Sequence, residues 1–323
     1  MRISDLTPER RDELFRRFDT LDPGDVDTAD VFFEEFGVGN NVAFKDRPFA
    51  RFEWYRGLLK LLFERSPKKY AQIHKGTPFF FLAWTAFDSC NYETALAYLD
   101  AAISEDTRID PAGWSERPGG QFLRLNPDPW HAGNRTIGLL RKRFANEFDR
   151  FKGATGVSLR LEEFLERFSA PLLETPSSRT ILSALYVFIL EADEVNEQLM
   201  LRSSAGGSTG PALSLLFRGG VLFESLLKHL YRGHQTLRCV LNSAALQADF
   251  PGEYGTHAKS LAEILAGVND DTLETAFSTT AKLRNTTGHN LVRDDVFGDR
   301  EVFNCLVHQQ CNALLYVIER KFR

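Results

Sequence analysis

The chain has 323 residues, 43% hydrophobic and 26% charged, with a formal net charge of −5. That length allows two or three modules, each able to bury a core, and the balance is that of an ordinary soluble globular protein. The acidic excess argues against a general nucleic-acid coat.

In chain order the signals are nearly all helical, which predicts an all-α fold. The opening Met1-Arg2-Ile3-Ser4-Asp5 leads into charged residues rather than a secretory pattern, so a cytoplasmic location is expected. Thr7-Pro8-Glu9 reads as an N-cap with Pro at the first helical position. The acidic stretch from Asp22 to Glu35 reads as a solvated loop or helix face, or a binding tail. Pro48 to Arg65 is an amphipathic helix with Phe52, Tyr55, Leu58, Leu59 and Leu62 on its apolar side. Over 75–108, Phe79, Leu82, Ala83 and Ala86 mark one helix, Asn91-Tyr92-Glu93 a turn, and Ala95, Leu99 and Ala102 a second helix. Small residues at those crossings let two helices approach closely, and the pattern is similar to a tetratricopeptide hairpin. Such hairpins bind peptides or carry dimer contacts, so a protein partner at the N-terminal helices is one expectation and a plain core hairpin is the other.

Residues 109–134, with Pro111, Pro118, Gly119, Gly120, Pro127 and Pro129, read as a long irregular connection. Helices are expected again over 135–150, 158–168 and 179–200. The longest largely apolar run, Ile181 to Leu190, is too short to span a bilayer, and no membrane partner is expected. Ser203-Ser204-Ala205-Gly206-Gly207-Ser208-Thr209-Gly210 then reads as a flexible linker. The organisation expected is an N-terminal helical region at 1–134, a middle helical segment at 135–202, the linker at 203–210 and a C-terminal domain at 211–323. That last part carries 12 basic and 12 acidic side chains and five of the seven histidines, so the acidic excess lies in the first two thirds.

Most motif chemistry is missing. No Walker-type loop and no His-Glu-x-x-His occurs. Gly206-Gly207-Ser208-Thr209-Gly210 fits the letters of a nucleophile elbow but lacks the strand that must precede one. Cys90, Cys239, Cys305 and Cys311 form no CxxC pair, so reduced thiols and neither metal nor cofactor are expected. One segment stands out: Arg284-Asn285-Thr286-Thr287-Gly288-His289, at the end of a helical stripe formed by Leu273, Phe277, Thr280 and Arg284. An Arg can hold charge on phosphate oxygens, a His can move a proton near neutral pH, and the Asn amide can orient either. On an unbroken helix Arg284 and His289 would lie roughly 140° apart. A break near Gly288 is therefore expected. A second Arg-to-His spacing, Arg124 to His131, falls in a Pro-rich loop and lacks the helical frame.

With these residues in hand, the region from about 211 to 323 resembles the HEPN superfamily, helical bundles that include many ribonucleases with an Arg, a polar residue and a His. Arg284, Asn285 and His289 carry the match. The helix from Phe217 to Lys228, with Glu224 and Lys228 among aliphatics, looks like the first helix of such domains. Where the family's small-toxin branch has a Tyr, two residues after the His, this chain has Leu291. The resemblance implies metal-independent endonucleolytic cleavage of single-stranded RNA by 2′-hydroxyl attack at a site shared by two copies, hence a homodimer, in a defence or growth-arrest role. Arg218, Lys228 and Arg293 are candidate RNA contacts. The alternatives are a non-catalytic helical adaptor dimerising through the bundle, and a toxin-type nuclease held inactive by a partner. For single residues, the structural alternatives are a salt bridge for Arg284, a packed junction histidine for His289 and an i, i+4 ion pair for Glu224 and Lys228.

Overall fold

The computed structural model describes residues 3–37, 47–127, 133–201, 209–254, 265–287 and 300–322. Every regular element among them is helical, so the chain is all-α. Backbone packing divides it into two units, Met1–Gly138 and Leu139–Arg323.

The first unit contains α1 (Pro8–Thr20), α2 (Val26–Phe36), α3 (Pro48–Arg65), α4 (Pro67–Gln72), α5 (Gly76–Asp88), α6 (Tyr92–Ile109) and α7 (Pro118–Leu123). Thr7, Asp25, Ser66 and Asn91 cap α1, α2, α4 and α6, each accepting from the N–H three residues on. Most of the acidic stretch lies on helix α2, whose other face is core: Ala29, Phe32, Phe33 and Phe36 pack with Leu14, Phe18, Tyr55, Leu58 and Leu62. Helices α5 and α6 pair through Leu82, Ala83, Ala86, Ala95, Leu99 and Ala102, all buried. The expectation of an irregular connection after α6 is corrected. Trp114–Glu116 forms a 3-10 turn and α7 follows, with Pro118 in its first turn. Gly119 and Gly120 explain the tight seat, since a Cβ there would come within 2.9 Å of Ile103 and 2.7 Å of Ser115 backbone.

Two buried charges tie this unit together, each satisfied because an unpaired one would be too costly. Arg51 of α3, 1% exposed, donates from Nε to Thr85 Oγ1 (2.8 Å) and from Nη2 to Asp88 Oδ2 (2.6 Å), and stacks 4.0 Å over the Trp84 ring. His74, 2% exposed, lies in the α4–α5 turn between Asp30 of α2 (Nδ1 to Oδ1, 3.2 Å) and Asp106 of α6 (Nε2 to Oδ1, 2.9 Å). Arg117 stands within 4.0 Å of both carboxylates, and Thr77 Oγ1 donates to Asp30. Beside His74, Lys75 Nζ donates to the Tyr70 and Ile73 carbonyls and to Glu105.

The second unit begins within α8 (Asn134–Thr155). It continues with α9 (Leu161–Glu163), a π-helical stretch Phe164–Ser169, α10 (Ala170–Leu172), α11 (Pro176–Met200), α12 (Gly210–Leu230), α13 (Leu237–Leu241), α14 (Ala244–Asp249), α15 (Leu273–Thr287) and α16 (Arg300–Lys321). Helices α12, α15 and α16 pack on one another, and α11 packs on α12 and α16. Phe277 of α15 sits among Phe223, Phe250 and Tyr254, with ring centroids 4.9–5.3 Å away. Gln310 of α16 donates to the Leu216 carbonyl at 2.6 Å. A Cβ on Gly219 would meet both Gln310 and Phe188, which is how closely α11, α12 and α16 approach.

The 203–210 stretch therefore joins helices of one unit, and packing places the division at Gly138/Leu139. Its residues up to Ser208 lie outside the described ones. The stripe expected on α15 also proves too narrow. Ala276, Ser278, Thr279, Ala281 and Leu283 are buried beside Phe277 and Thr280, because neighbours cover the helix on two sides. Helix α12 has the length and hydropathy of a bilayer span, and 61% of that window is buried, as in a core helix.

Candidate functional site

Gly220 positions the site. A Cβ at this point of α12 would lie 2.6 Å from Arg284 Cβ and 2.9 Å from its Cα, so only glycine lets the last turns of α15 come this close. One turn further along α12 stands Glu224, its side chain 8% exposed. Arg284 Nε donates to Glu224 Oε2 at 2.6 Å, and Lys228 Nζ donates to Oε1 at 2.6 Å. Burial alone would push the Glu224 carboxyl up; the hydrogen bonds and charges of Lys228 and Arg284 outweigh it and hold the group below its ordinary value. The carboxylate is thus ionised at neutral pH and fixes the Arg284 guanidinium by its Nε edge. Nη1 and Nη2 have no hydrogen-bond partner among the described residues.

This triad forms part of the wall of a cleft of about 630 Å³. Glu224 and Lys228 come from α12, Gln235 to Arg238 from the turn into α13, and Lys282, Arg284, Asn285 and Thr286 from the end of α15. Among the described residues of the cleft, Lys228, Arg238, Lys282 and Arg284 face a single carboxylate, Glu224, in a chain whose net charge is −5. Such a set of cations can receive an anion, and the terminal nitrogens of a guanidinium can match two oxygens of one phosphate.

Arg284, Asn285 and Lys228 line the same cleft. Glu224 and Lys228 form the expected i, i+4 pair, and the pair extends to Arg284, which neither spacing nor composition could reveal. Arg218 does not line the cleft: it pairs with Glu191 of α11 and donates to Ser214 Oγ at 3.2 Å. His289, Leu291 and Arg293 lie outside the described residues, as does Gly288, where the helix break is expected. Sequence reasoning missed Gln235, Arg238 and Lys282. Arg238 stands in a short helix with no motif, and only the fold brings it opposite α15. Among the described residues no group of three or more His, Cys, Asp and Glu side chains is placed to hold a metal ion.

No protein-family model, curated protein or solved structure matches the chain.

Proposed function

We propose that the chain is an endoribonuclease of HEPN type that cleaves single-stranded RNA without a metal ion. One observation carries the reading: Arg284 and Asn285 meet Lys228, Arg238 and Lys282 in one cleft, with Glu224 gripping Arg284 so that its terminal nitrogens are left for a phosphate. In the proposed reaction His289 removes the proton of a ribose 2′-hydroxyl, that oxygen attacks the adjacent phosphorus, and the P–O5′ bond breaks as a second copy's His289 gives the 5′-oxygen the proton with which it leaves as a hydroxyl. Arg284 stabilises the charge that builds on the phosphoryl oxygens, and the product ends in a 2′,3′-cyclic phosphate. DNA lacks the nucleophile and is not cut. One Arg-His pair supplies too few groups for base, acid and charge stabilisation, so two copies contribute to one cleft. The partly exposed apolar residues of α12, Phe217 (36%) and Val221 (37%), are available for such a contact.

The test is cleavage of labelled single-stranded RNA in EDTA by the wild-type protein, Arg284→Ala and His289→Ala, each checked for equal helicity by circular dichroism. Cleavage by the wild type alone, with cyclic-phosphate ends, supports the proposal, and equal activity in all three refutes it. The second reading, a non-catalytic adaptor, is favoured by the Arg284–Glu224–Lys228 triad, which is also what a clamp between α12 and α15 requires. Absence of cleavage, together with a folding defect in Arg284→Ala, supports the clamp.

A further inference from the structure

Arg238 and Lys282 stand on different walls of the cleft, one from α13 and one from α15. Glu224 is already engaged by Lys228 and Arg284, and neither Arg238 nor Lys282 has an ion-pair partner among the described residues. Two further cations facing a confined space repel each other unless an anion is placed between them. The volume, about 630 Å³, is in the range of small-ligand pockets, roughly 300–1,000 Å³. A cleft of that size takes a segment of one single strand, whereas a duplex is recognised across an open groove. Gln235 and Asn285 add amides able to donate to and accept from base edges.

We propose that Arg238 and Lys282 hold the phosphates on either side of the one bound by Arg284, so that the cleft recognises single-stranded RNA as a run of successive phosphates rather than as one isolated phosphate. This rests on the ribonuclease reading. It assigns to Arg238 and Lys282 the part of the affinity that depends on salt, and it separates them from Arg284, which acts on the reacting phosphoryl group.

The test uses the full-length protein and a fluorescein-labelled single-stranded RNA with every 2′-hydroxyl methylated, so that binding is measured without cleavage. Anisotropy titrations between roughly 50 and 200 mM salt give the slope of log affinity on log salt, to which each neutralised phosphate of a single strand contributes about 0.7. Arg238→Gln and Lys282→Gln should each weaken binding roughly 3- to 10-fold and flatten the slope by about that amount. Arg238→Lys should restore the slope, which a purely structural role would not predict. On cleavable RNA both Gln variants should raise KM more than they lower kcat. Unchanged affinity and slope in both variants, with the wild type still cutting RNA, would overturn the inference and leave the nuclease reading standing. Loss of slope in a protein that never cuts RNA would sustain the phosphate contacts and sink the nuclease reading. No binding by the wild type overturns the inference, as does equal affinity for a duplex or competition by inorganic phosphate at concentrations matching the oligonucleotide's.

Discussion

Replacing His74 with Gln should convert part of the first unit's stability from pH-dependent to pH-independent. Burial alone would lower the affinity of this imidazole for its proton, but the hydrogen bonds and charges of Asp106 and Asp30 reverse the effect and raise its pKa from 6.5 to about 9. The folded state therefore keeps a proton that the unfolded chain releases between those values. At about 1.4 kcal/mol per pH unit this amounts to about 3 kcal/mol. The partial exposure of Asp30 and the nearby Arg117 guanidinium reduce the expectation to about 2–3 kcal/mol. Because the folded pKa is the higher one, the contribution is complete below pH 6.5 and is lost as pH rises through about 9. Lys75 titrates in the opposite sense. Burial holds its ammonium below the ordinary value despite Glu105, so its effect on stability grows more favourable with pH. It cancels in the difference between wild type and His74→Gln. All four tryptophans, Trp54, Trp84, Trp114 and Trp130, fall within Met1–Gly138, so urea unfolding followed by tryptophan fluorescence reports on this unit. The wild-type advantage should shrink by about 2–3 kcal/mol between pH 6 and pH 9.5. A difference that stays constant across that range would refute the account of the clamp.

Gly220→Ala places a Cβ 2.6 Å from Arg284 Cβ, and overpacking of this kind costs about 1–3 kcal/mol, less the roughly 1 kcal/mol an alanine gains within a helix. A small fall in the melting temperature by circular dichroism is expected, with a much larger loss of the proposed RNA cleavage because Arg284 is displaced; unchanged activity would show that the close approach does not set the site. Glu224→Gln keeps the shape but leaves Lys228 and Arg284 without their shared anion, and it should destabilise the folded chain by about 1–3 kcal/mol at pH 7. Since the folded Glu224 pKa is depressed below 4.5, that deficit should persist above pH 4.5 and close as pH falls further, as measured by urea midpoints; a deficit that grows on acidification contradicts the pairing.

Local sequence determined most of the helical segments. Apolar residues recur at helical spacing in α3 and α12, and Thr7 and Asn91 begin helices because their side chains satisfy N–H groups that no helix can satisfy itself. The α5–α6 hairpin was legible for the same reason, since small residues at the crossings are a local signature. Arg284, Asn285 and Lys228 each belong to a short pattern on a recognisable helix, and all three line one cleft. The core face of α2 is also written locally, in Ala29, Phe32, Phe33 and Phe36 at i, i+3, i+4 and i+7 beneath an acidic outer face. Sequence could not show that α7 is a helix, because Pro and Gly read as breakers until Ile103 and Ser115 reveal why glycine is needed. The grouping of α11 with α12 and α16 depends on packing across an intervening Gly- and Ser-rich stretch. Two features were decided by tertiary structure alone: the His74 clamp joins residues 44 and 32 positions apart, and Glu224 reaches Arg284 across 60. Charge pairs of that separation leave no periodic trace, because helix periodicity correlates only residues within a turn or two, whereas side chains from different helices meet only once the core has set their spacing.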